Sequence, residues 1–362
     1  MTASTAALPL ARRREVSLLR LLAQGVATRP FTSAVDAARH LTCVQGQQLP
    51  AALRALALRS ATGAAPPAAA LAAGQLVRGY PMRGTLFLTA AADLAWMTEL
   101  TRDRQLAGLA SSLAHRSLTV QQLTALADRA HAVLADGPLT RADFVRRLLP
   151  TQSPAVYHVC ITLLLTGDIV YGPLDGKEQL VADAHTWLPR GSDLAGRFNG
   201  DADAATAHWL HRYLWGHGPA TLRDFAWWSK LPLTLLRRLE PTATAGLESY
   251  GTDARAETLW GAPGLGDQLT AARAACRAAH LLPAFDEVVL GYPDRLLLAD
   301  AAELRQVVPG NNGVFRATMH RAGRLVGTWQ AARRGEVELV PFAPLSDSAR
   351  RDFARAAAAL PR

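Results

Sequence analysis

The chain has 362 residues, of which 49% are hydrophobic and 19% charged, proportions that exclude a disordered protein and indicate one large domain or two to three smaller ones. The formal net charge of +9 indicates a polyanionic partner, most often nucleic acid, and a codon bias toward Arg does not explain the excess over Asp and Glu. Apolar stretches are interrupted before they could span a bilayer, and the N-terminal arginines follow the first apolar residues, so we expect a cytoplasmic protein without a signal peptide.

The first predicted helix pair lies near the N-terminus. One helix starts at Arg29-Pro30-Phe31-Thr32-Ser33 with Asp36 in its first turn, and a second starts at Leu49-Pro50. The break between them, VQGQQ, places Gln45 and Gln47 in the turn of a helix-turn-helix. The segment MRGTLFLTA alternates like a wing strand, after a loop and short helix over residues 65–74.

A short repeat marks two further helix starts. GPLTRADF begins at Gly137 and GPATLRDF at Gly218, and both fit G-P-x-T-x-x-D-F. The Thr caps free backbone N–H groups, and the Asp three residues later lies in the first turn, where negative charge is favoured. A second helix then starts beside a proline in each copy, at Ser153-Pro154 and at Leu231-Pro232.

The copy after Gly137 continues into IVYGPLDGKEQLVAD, in which Asp175-Gly176 predicts a β-hairpin. A helix, a helix and a hairpin in this order make a winged helix. We therefore predict an α+β, mainly α, fold with three tandem winged-helix motifs, over residues 1–130, 131–200 and 201–362, the last including a C-terminal β-rich region.

The C-terminal third has a different pattern. HLLPAFDEVVLGY, LRQVVPGNNGVFRATMHRAGRLVGTWQ and EVELVPF predict strands and hairpins, with turns at Asn311-Asn312-Gly313 and Arg321-Ala322-Gly323-Arg324. The final SDSARRDFARAAAALPR predicts a capped amphipathic helix.

Several arginines are candidate DNA contacts, because winged helices mostly bind DNA. Arg237 and Arg238 lie in the second helix of the last copy, and Arg321 and Arg324 flank a hairpin tip that could enter a groove. Each also fits the alternative of a solvated helix face or turn.

Conventional catalytic signatures are absent from the sequence: G-x-S-x-G, H-E-x-x-H, a Walker loop and G-x-G-x-x-G do not occur. The three cysteines are far apart without a C-x-x-C pair, which argues against a disulfide framework or a zinc site. We expect no metal and no cofactor. Asp286 and Glu287, adjacent acids in an apolar frame, fit either a shifted-pKa site or a salt-bridged strand end, whereas a packing role is favoured for His208 and His211.

Several segments together resemble the AlkZ-like bacterial DNA glycosylases. The resemblance runs over nearly the whole chain through VQGQQLPAALRALALR, MRGTLFLTAAADLAWM, GPATLRDFAWWSKL, LLPAFDEVVLGYPDR, VVPGNNGVF and GRLVGTW. It implies three winged-helix units arranged as a C-shaped clamp on double-stranded DNA that contains alkylated guanine.

The resemblance also implies site residues. The family's catalytic Q-x-Q motif corresponds to Gln45-Gly46-Gln47, and the R-G-T segment makes Arg83 and Thr85 expected DNA contacts. Many relatives have R-G-T-x-H where this chain has Phe87 in place of the histidine. The implied activity is excision of N7-alkylguanine, including bulky adducts or interstrand crosslinks from an antibiotic against which some producing bacteria protect themselves.

Neutral amides suit that reaction. An N7-alkylguanine is already cationic and leaves as a neutral base, so no protonation is needed. The developing sugar cation then needs a positioned water, and amide oxygens can hold one without a strong base. We expect Gln47 to position this water and Gln45 to share the role and steady the sugar cation. Only Lys177 and Lys230 could form a Schiff base, so we expect no lyase activity.

Two other functions fit the sequence. One is a non-enzymatic winged-helix transcriptional regulator, which would be dimeric and read two half-sites, whereas we expect three unequal units in one chain to act as a monomer. The other is a hydrolase centred on Asp286 and Glu287.

Overall fold

The computed structural model describes residues 8–114, 119–149, 156–311, 313–332 and 336–361. The chain divides into two compact units, which we call the glutamine unit (Gln45–Gln47 and Ala65–Thr206) and the terminal unit (Met1–Val44, Gln48–Ala64 and Ala207–Arg362). Within the described ranges, no helix is both long enough and apolar enough to cross a membrane.

In chain order the helices are α1 (Leu10–Ala23), α2 (Ala34–Leu41), α3 (Leu49–Arg59), α4 (Pro67–Ala72), α5 (Ala91–Ala114), α6 (Val120–Leu134), α7 (Arg141–Leu148), α8 (Val156–Thr166), α9 (Ala184–Trp187), α10 (Leu194–Phe198), α11 (Ala202–His217), α12 (Leu222–Ser229), α13 (Leu233–Ala243), α14 (Leu265–Arg277), α15 (Glu287–Leu290), α16 (Ala301–Val307) and α17 (Asp347–Ala358). The strands are β1 (Val44–Gln45), β2 (Leu76–Met82), β3 (Thr85–Ala90), β4 (Ile169–Asp175), β5 (Glu178–Asp183), β6 (Glu248–Thr252), β7 (Thr258–Gly261), β8 (His280–Leu282), β9 (Ala317–Arg321), β10 (Arg324–Ala331) and β11 (Val337–Pro341).

The predicted helix starts are confirmed where the structure describes them. The hydroxyl of Ser33 accepts a hydrogen bond from the Asp36 N–H at the start of α2. Thr140 caps α7 in the same way, and Thr221 forms a reciprocal capping box with Asp224 at α12. The predicted start at Ser153-Pro154 lies outside the described residues.

The order helix, helix, hairpin recurs three times in the described chain. The sets are α2 and α3 with β2–β3, α7 and α8 with β4–β5, and α12 and α13 with β6–β7. In the first set the short helix α4 comes between α3 and the hairpin. Mixed α+β architecture is therefore confirmed, while the winged-helix domain boundaries stay a prediction.

The glutamine unit is built on a five-stranded sheet with the order β1-β3-β2-β4-β5. The hairpins β2–β3 and β4–β5 meet edge to edge through the antiparallel pairing of Arg78 with Tyr171. One core beside this sheet buries Phe144, Leu148 and Leu163, and so joins α7 and α8 to the strands. Two predicted wings thus form a continuous sheet.

The terminal unit contains a four-stranded antiparallel sheet, β11-β10-β9-β8, and the separate β6–β7 hairpin. Helix α1 packs on α14 through Leu19, Leu265 and Leu269, all buried. A second core, on α11 and α12, holds the fully buried rings of Trp209 and Trp228.

Two segments of the C-terminal third differ from the prediction. Strands were expected in DEVVL and LRQVV, but Glu287–Leu290 and Ala301–Val307 are helices. The reason is helix capping: Asp286 accepts a hydrogen bond from the Val288 N–H, and Asp300 forms a capping box with Glu303. These local bonds outweigh the strand preference of the valine pairs.

The turns of this region are confirmed in part. The turn at Arg321–Arg324 joins β9 to β10 as predicted, and Ser346 caps α17. The turn near Asn311 instead follows α16 as a short 3₁₀ segment, Pro309–Asn311, and leads from a helix to β9 rather than between two strands. Residue 312 lies outside the described residues.

Candidate active site

The tripeptide Gln45-Gly46-Gln47 lies between α2 and α3, as predicted, and extends an edge of the five-stranded sheet. The Gly46 N–H donates a hydrogen bond of 2.7 Å to the Leu86 carbonyl on β3. The Gly46 carbonyl accepts one of 2.9 Å from Nη1 of Arg78 on β2. The backbone between the two glutamines is therefore tied to two neighbouring strands.

Gly46 sits too close to β3 for any side chain. A Cβ atom there would lie 2.9 Å from the Leu88 amide nitrogen and 3.0 Å from the Phe87 carbonyl carbon. It would also lie 3.1 Å from Cδ of Arg78. Glycine is thus required for backbone packing inside the protein.

The two glutamine side chains hold each other in place. Oε1 of Gln45 accepts from the Gln47 backbone N–H at 3.1 Å, and Nε2 of Gln45 donates to Oε1 of Gln47 at 2.7 Å. Because a backbone N–H only donates, it fixes which end of the Gln45 amide faces it, and the NH2 group must then face Gln47.

The two amides differ in their exposure. Gln45 is buried, with 6% of its surface exposed, whereas Gln47 is exposed. After accepting from Gln45, Oε1 of Gln47 keeps a second lone pair, and its NH2 group can still donate. The arrangement can therefore present one oriented amide to a ligand or a water molecule.

Arg78 is a site residue that the sequence reasoning missed. Besides its bond to Gly46, its guanidinium lies 4.9 Å from the ring centroid of Tyr171, at cation–π distance. Burial lowers the pKa of Arg78. The signal available in the sequence was one charge in the otherwise apolar strand LVRGYPM.

The remaining family-implied residues belong to the hairpin that holds the tripeptide. Arg83 is half-buried and adopts φ 60° in the β2–β3 turn, and the next N–H, of Gly84, donates to Gln105 Oε1 at 2.7 Å. Thr85 is half-buried and pairs with Met82. Phe87 is fully buried opposite Gly79, so its ring serves the core.

The four other arginine candidates lie in the terminal unit. Arg237 and Arg238 are exposed on α13, and Nη2 of Arg237 lies 3.6 Å from Glu257. Arg321 pairs with Asp352 at 3.0 Å, and Arg324 pairs with Glu303 at 2.9 Å.

The turn between Arg321 and Arg324 is covered. A Cβ at Gly323 would lie 2.9 Å from the Arg14 carbonyl of α1, and the Ala322 N–H donates to the Arg277 carbonyl. DNA contact by Arg321 and Arg324 stays a prediction, and it would have to come from their half-exposed guanidinium groups rather than from the turn.

Asp286 and Glu287 are buried, and each is held by another side chain. Asp286 accepts two hydrogen bonds from Arg59, of 2.8 and 2.9 Å, and Oε2 of Glu287 accepts from the Trp228 indole at 2.9 Å. Burial acts to raise the pKa of Asp286, but the Arg59 guanidinium outweighs it and holds the pKa below 3.8. These contacts favour the ion-pair interpretation over a catalytic carboxylate.

The two histidines expected to have a packing role, His208 and His211, both lie on α11. Nδ1 of His211 lies 2.9 Å from the Ala243 carbonyl, in keeping with the structural role expected for this side chain. His208 is half-buried.

Comparisons with known proteins point to one class, the DNA glycosylases. The family model "DNA glycosylase AlkZ-like" matches residues 38–362, and the chain belongs to this family. It is 26% identical over 346 residues to an "Interstrand DNA cross-link repair glycosylase" of Streptomyces sahachiroi, covering 91% of this chain and 90% of the relative. The structure of the Streptomyces sahachiroi DNA glycosylase AlkZ is similar, with a TM-score of 0.74, 23% identity and coverage of 96% of this chain and 97% of that one.

Proposed function

We propose that this protein is a monofunctional DNA glycosylase that hydrolyses the N-glycosidic bond of N7-alkylguanine. The observation that carries the proposal is the reciprocal bonding of Gln45 and Gln47, which leaves one oriented amide exposed beside a buried one. Membership of the AlkZ-like family makes the substrate DNA.

Gln47 is the group that touches the reacting atoms. The free lone pair of its Oε1 accepts a hydrogen bond from a water molecule and holds it in line with the anomeric carbon as the cationic base departs. The oxocarbenium ion is electrophilic enough for a water oriented by a neutral amide. An undamaged base leaves poorly as an anion, so this weak catalyst discriminates against normal DNA.

Gln45 acts through Gln47 in this mechanism. Its carbonyl and its NH2 group are both bonded to Gln47, and its side chain is buried. Gln45 is therefore a positioning residue, a narrower role than the shared contact with water and sugar that the sequence suggested. Arg78 and Leu86 hold the backbone of the pair from either side of Gly46.

The proposed lesion class rests on a similar protein, because the chemistry of the glutamine pair suits small and bulky N7 adducts alike. Bulky adducts or interstrand crosslinks of a genotoxic natural product are the proposed substrates, and self-resistance is the proposed role. The support is the similar "Interstrand DNA cross-link repair glycosylase". A bulky lesion is hard to flip into a tight pocket, so we infer that it stays largely in the groove while a monomeric clamp of three winged-helix units reaches the bond.

The decisive experiment compares four proteins on a duplex that carries one N7-methylguanine under single-turnover conditions. Gln47→Ala is expected to slow base release by at least about 100-fold, because the water loses its acceptor. Gln45→Ala is expected to slow it similarly. The matched control is Gln48→Ala, which removes an exposed neighbouring amide that makes no capping hydrogen bond to α3 and is expected to leave the rate unchanged.

Full base release by the Gln45→Ala, Gln47→Ala double variant would disprove the mechanism. Sequence-specific binding of undamaged DNA by a dimer, without base release from any alkylated duplex, would instead establish the regulator. Repeating the assay with a crosslinked duplex tests the lesion class separately from the mechanism.

A further inference from the structure

Three potential metal ligands from separate parts of the glutamine unit converge away from the glutamine pair. They are His131 on α6, Asp183 at the end of β5 and His185 on α9. One ligand atom from each lies within 4.8 Å of the others. No metal site is expected from the sequence, because His131 lies far along the chain from the closely spaced pair Asp183 and His185.

The separations suit a small divalent ion. Nδ1 of His131 lies 3.1 Å from Oδ1 of Asp183, and Nδ1 of His185 lies 3.9 Å from the same oxygen. Ligands held at ~2.1 Å around a tetrahedral Zn²⁺ are ~3.4 Å apart, so small rotations of the side chains complete the geometry.

The short contact between His131 and Asp183 is not a hydrogen bond, which leaves room for a metal ion as the common partner. Although Nδ1 of His131 is close to Asp183 and buried, it makes no hydrogen bond. In the tautomer that carries its proton on Nε2, Nδ1 of His131 has a lone pair that can bind an ion lying beside both atoms.

The surroundings of the cluster resemble the outer shell of a metal site. The other ring nitrogen of His131, Nε2, lies 3.5 Å from Oδ1 of Asp168, and a small shift would form the carboxylate–histidine hydrogen bond that orients metal-bound imidazoles. Asp183 is fixed by the His185 backbone N–H, which donates to its Oδ1 at 2.9 Å. The ring of His131 also stacks on that of His185, with centroids 4.5 Å apart.

Solvent can reach the cluster. The His185 side chain is 69% exposed, and Asp168 and His185 both line a cavity of about 320 Å³. An ion can enter from this side, and a water molecule can fill the position that the protein does not.

We propose that His131, Asp183 and His185 bind one divalent transition-metal ion, with Zn²⁺ the best match, and that Asp168 orients His131. Two imidazoles and one carboxylate favour Zn²⁺, Ni²⁺ or Cu²⁺ over Mg²⁺ or Ca²⁺, which prefer all-oxygen shells. The ion would tie α6 to the β5–α9 junction, and its binding does not depend on the glycosylase reaction.

Calorimetric titration of the full-length, metal-free protein with ZnCl2 at neutral pH tests the site, together with Co²⁺ absorption for coordination geometry. One Zn²⁺ per chain is expected, with a raised melting temperature and Co²⁺ bands of tetrahedral intensity. His185→Ala, an exposed change that leaves the fold intact, is expected to weaken binding at least tenfold, as is His131→Ala. Asp168→Asn is expected to weaken it about tenfold through the orientation of His131.

The matched control is His208→Ala, which removes a half-buried histidine of the terminal unit and is expected to leave Zn²⁺ binding unchanged. Failure of wild-type protein to bind Zn²⁺ at millimolar concentration would overturn the proposal. Equal binding by wild type and His185→Ala would overturn it as well, because the ion would then lie elsewhere.

Discussion

Replacing Gly46 by alanine tests how far the candidate site depends on the close packing of the Gly46 backbone against β3. The added Cβ would lie 2.9 Å from a backbone nitrogen and 3.0 Å from a backbone carbon, where 3.4 Å is ordinary contact. The tripeptide must therefore retreat by roughly 0.5 Å, because the backbone of a strand in the middle of the sheet cannot yield as a side chain does.

That retreat weakens both tethers of Gly46. The hydrogen bonds to Leu86 and from Arg78 would lengthen from 2.7 and 2.9 Å toward the limit of useful bonding. We expect Gly46→Ala to lower the free energy of unfolding by ~1–3 kcal/mol, the usual cost of overpacking. Since the glutamines move with the backbone, base release should slow by about 10- to 100-fold.

The measurements are urea unfolding and single-turnover release of N7-methylguanine. The matched control is Gly108→Ala in helix α5, where an added Cβ meets nothing within 4 Å. Its free energy of unfolding should equal that of wild type or exceed it by up to ~1 kcal/mol, and its rate of base release should be unchanged. Wild-type stability and rate in Gly46→Ala would refute the packing argument. A lower free energy of unfolding with an unchanged rate of base release would show that catalysis does not depend on the position of the tripeptide against β3.

Three further outcomes are expected, one at the glutamine site and two in the core of the terminal unit. Arg78→Lys should slow base release while DNA binding changes less than about twofold, because lysine cannot hold the Gly46 carbonyl in the same geometry; equal losses in both measurements would contradict this. Asp286→Ala should lower the free energy of unfolding in urea by ~3–5 kcal/mol, because Arg59 would be left buried without its carboxylate partner. The pKa of Asp286 in the folded protein is below 3.8, so the stability that this carboxylate contributes is present above that pH and is lost as the pH falls below it. Burial lowers the pKa of His320 to about 3, so below pH 6.5 the unfolded chain binds a proton that the folded chain does not. Between pH 7 and pH 5 the free energy of unfolding of wild type should therefore fall by ~2 kcal/mol more than that of His320→Gln. Parallel pH profiles of the two proteins would refute this.

Helix starts and hairpin turns could be predicted from the sequence because the interactions that form them are local. Thr140 and Thr221 bond to N–H groups three residues away, and Gly176 adopts a positive φ in the turn that Asp175-Gly176 predicted. The same principle explains the two errors in the C-terminal third. Asp286 and Asp300 are local caps, and their hydrogen bonds outweigh the strand preference of the valine pairs that follow.

The glutamine motif was located by its resemblance to a family, and its geometry came from tertiary contacts. Gln45 and Gln47, with one glycine between them, look equivalent in the sequence, yet one is buried and the other exposed. The difference arises because Gln45 lies in β1, which pairs with β3, whereas Gln47 lies beyond the end of the strand and before α3. Pairing partners 40 residues apart leave no local signal, so neither the orienting role of Gln45 nor the tether from Arg78 could be derived beforehand.

By itself, then, the sequence determined the composition class, the basic charge, the capped helices, the tight turns and the family. Tertiary structure alone decided that two hairpins share one sheet and that Asp286 is neutralised by Arg59, 227 positions away. It also decided that His131 meets Asp183 and His185. Local hydrogen bonds depend on neighbours that the sequence places side by side, whereas burial and long-range pairing depend on how the whole chain closes on itself.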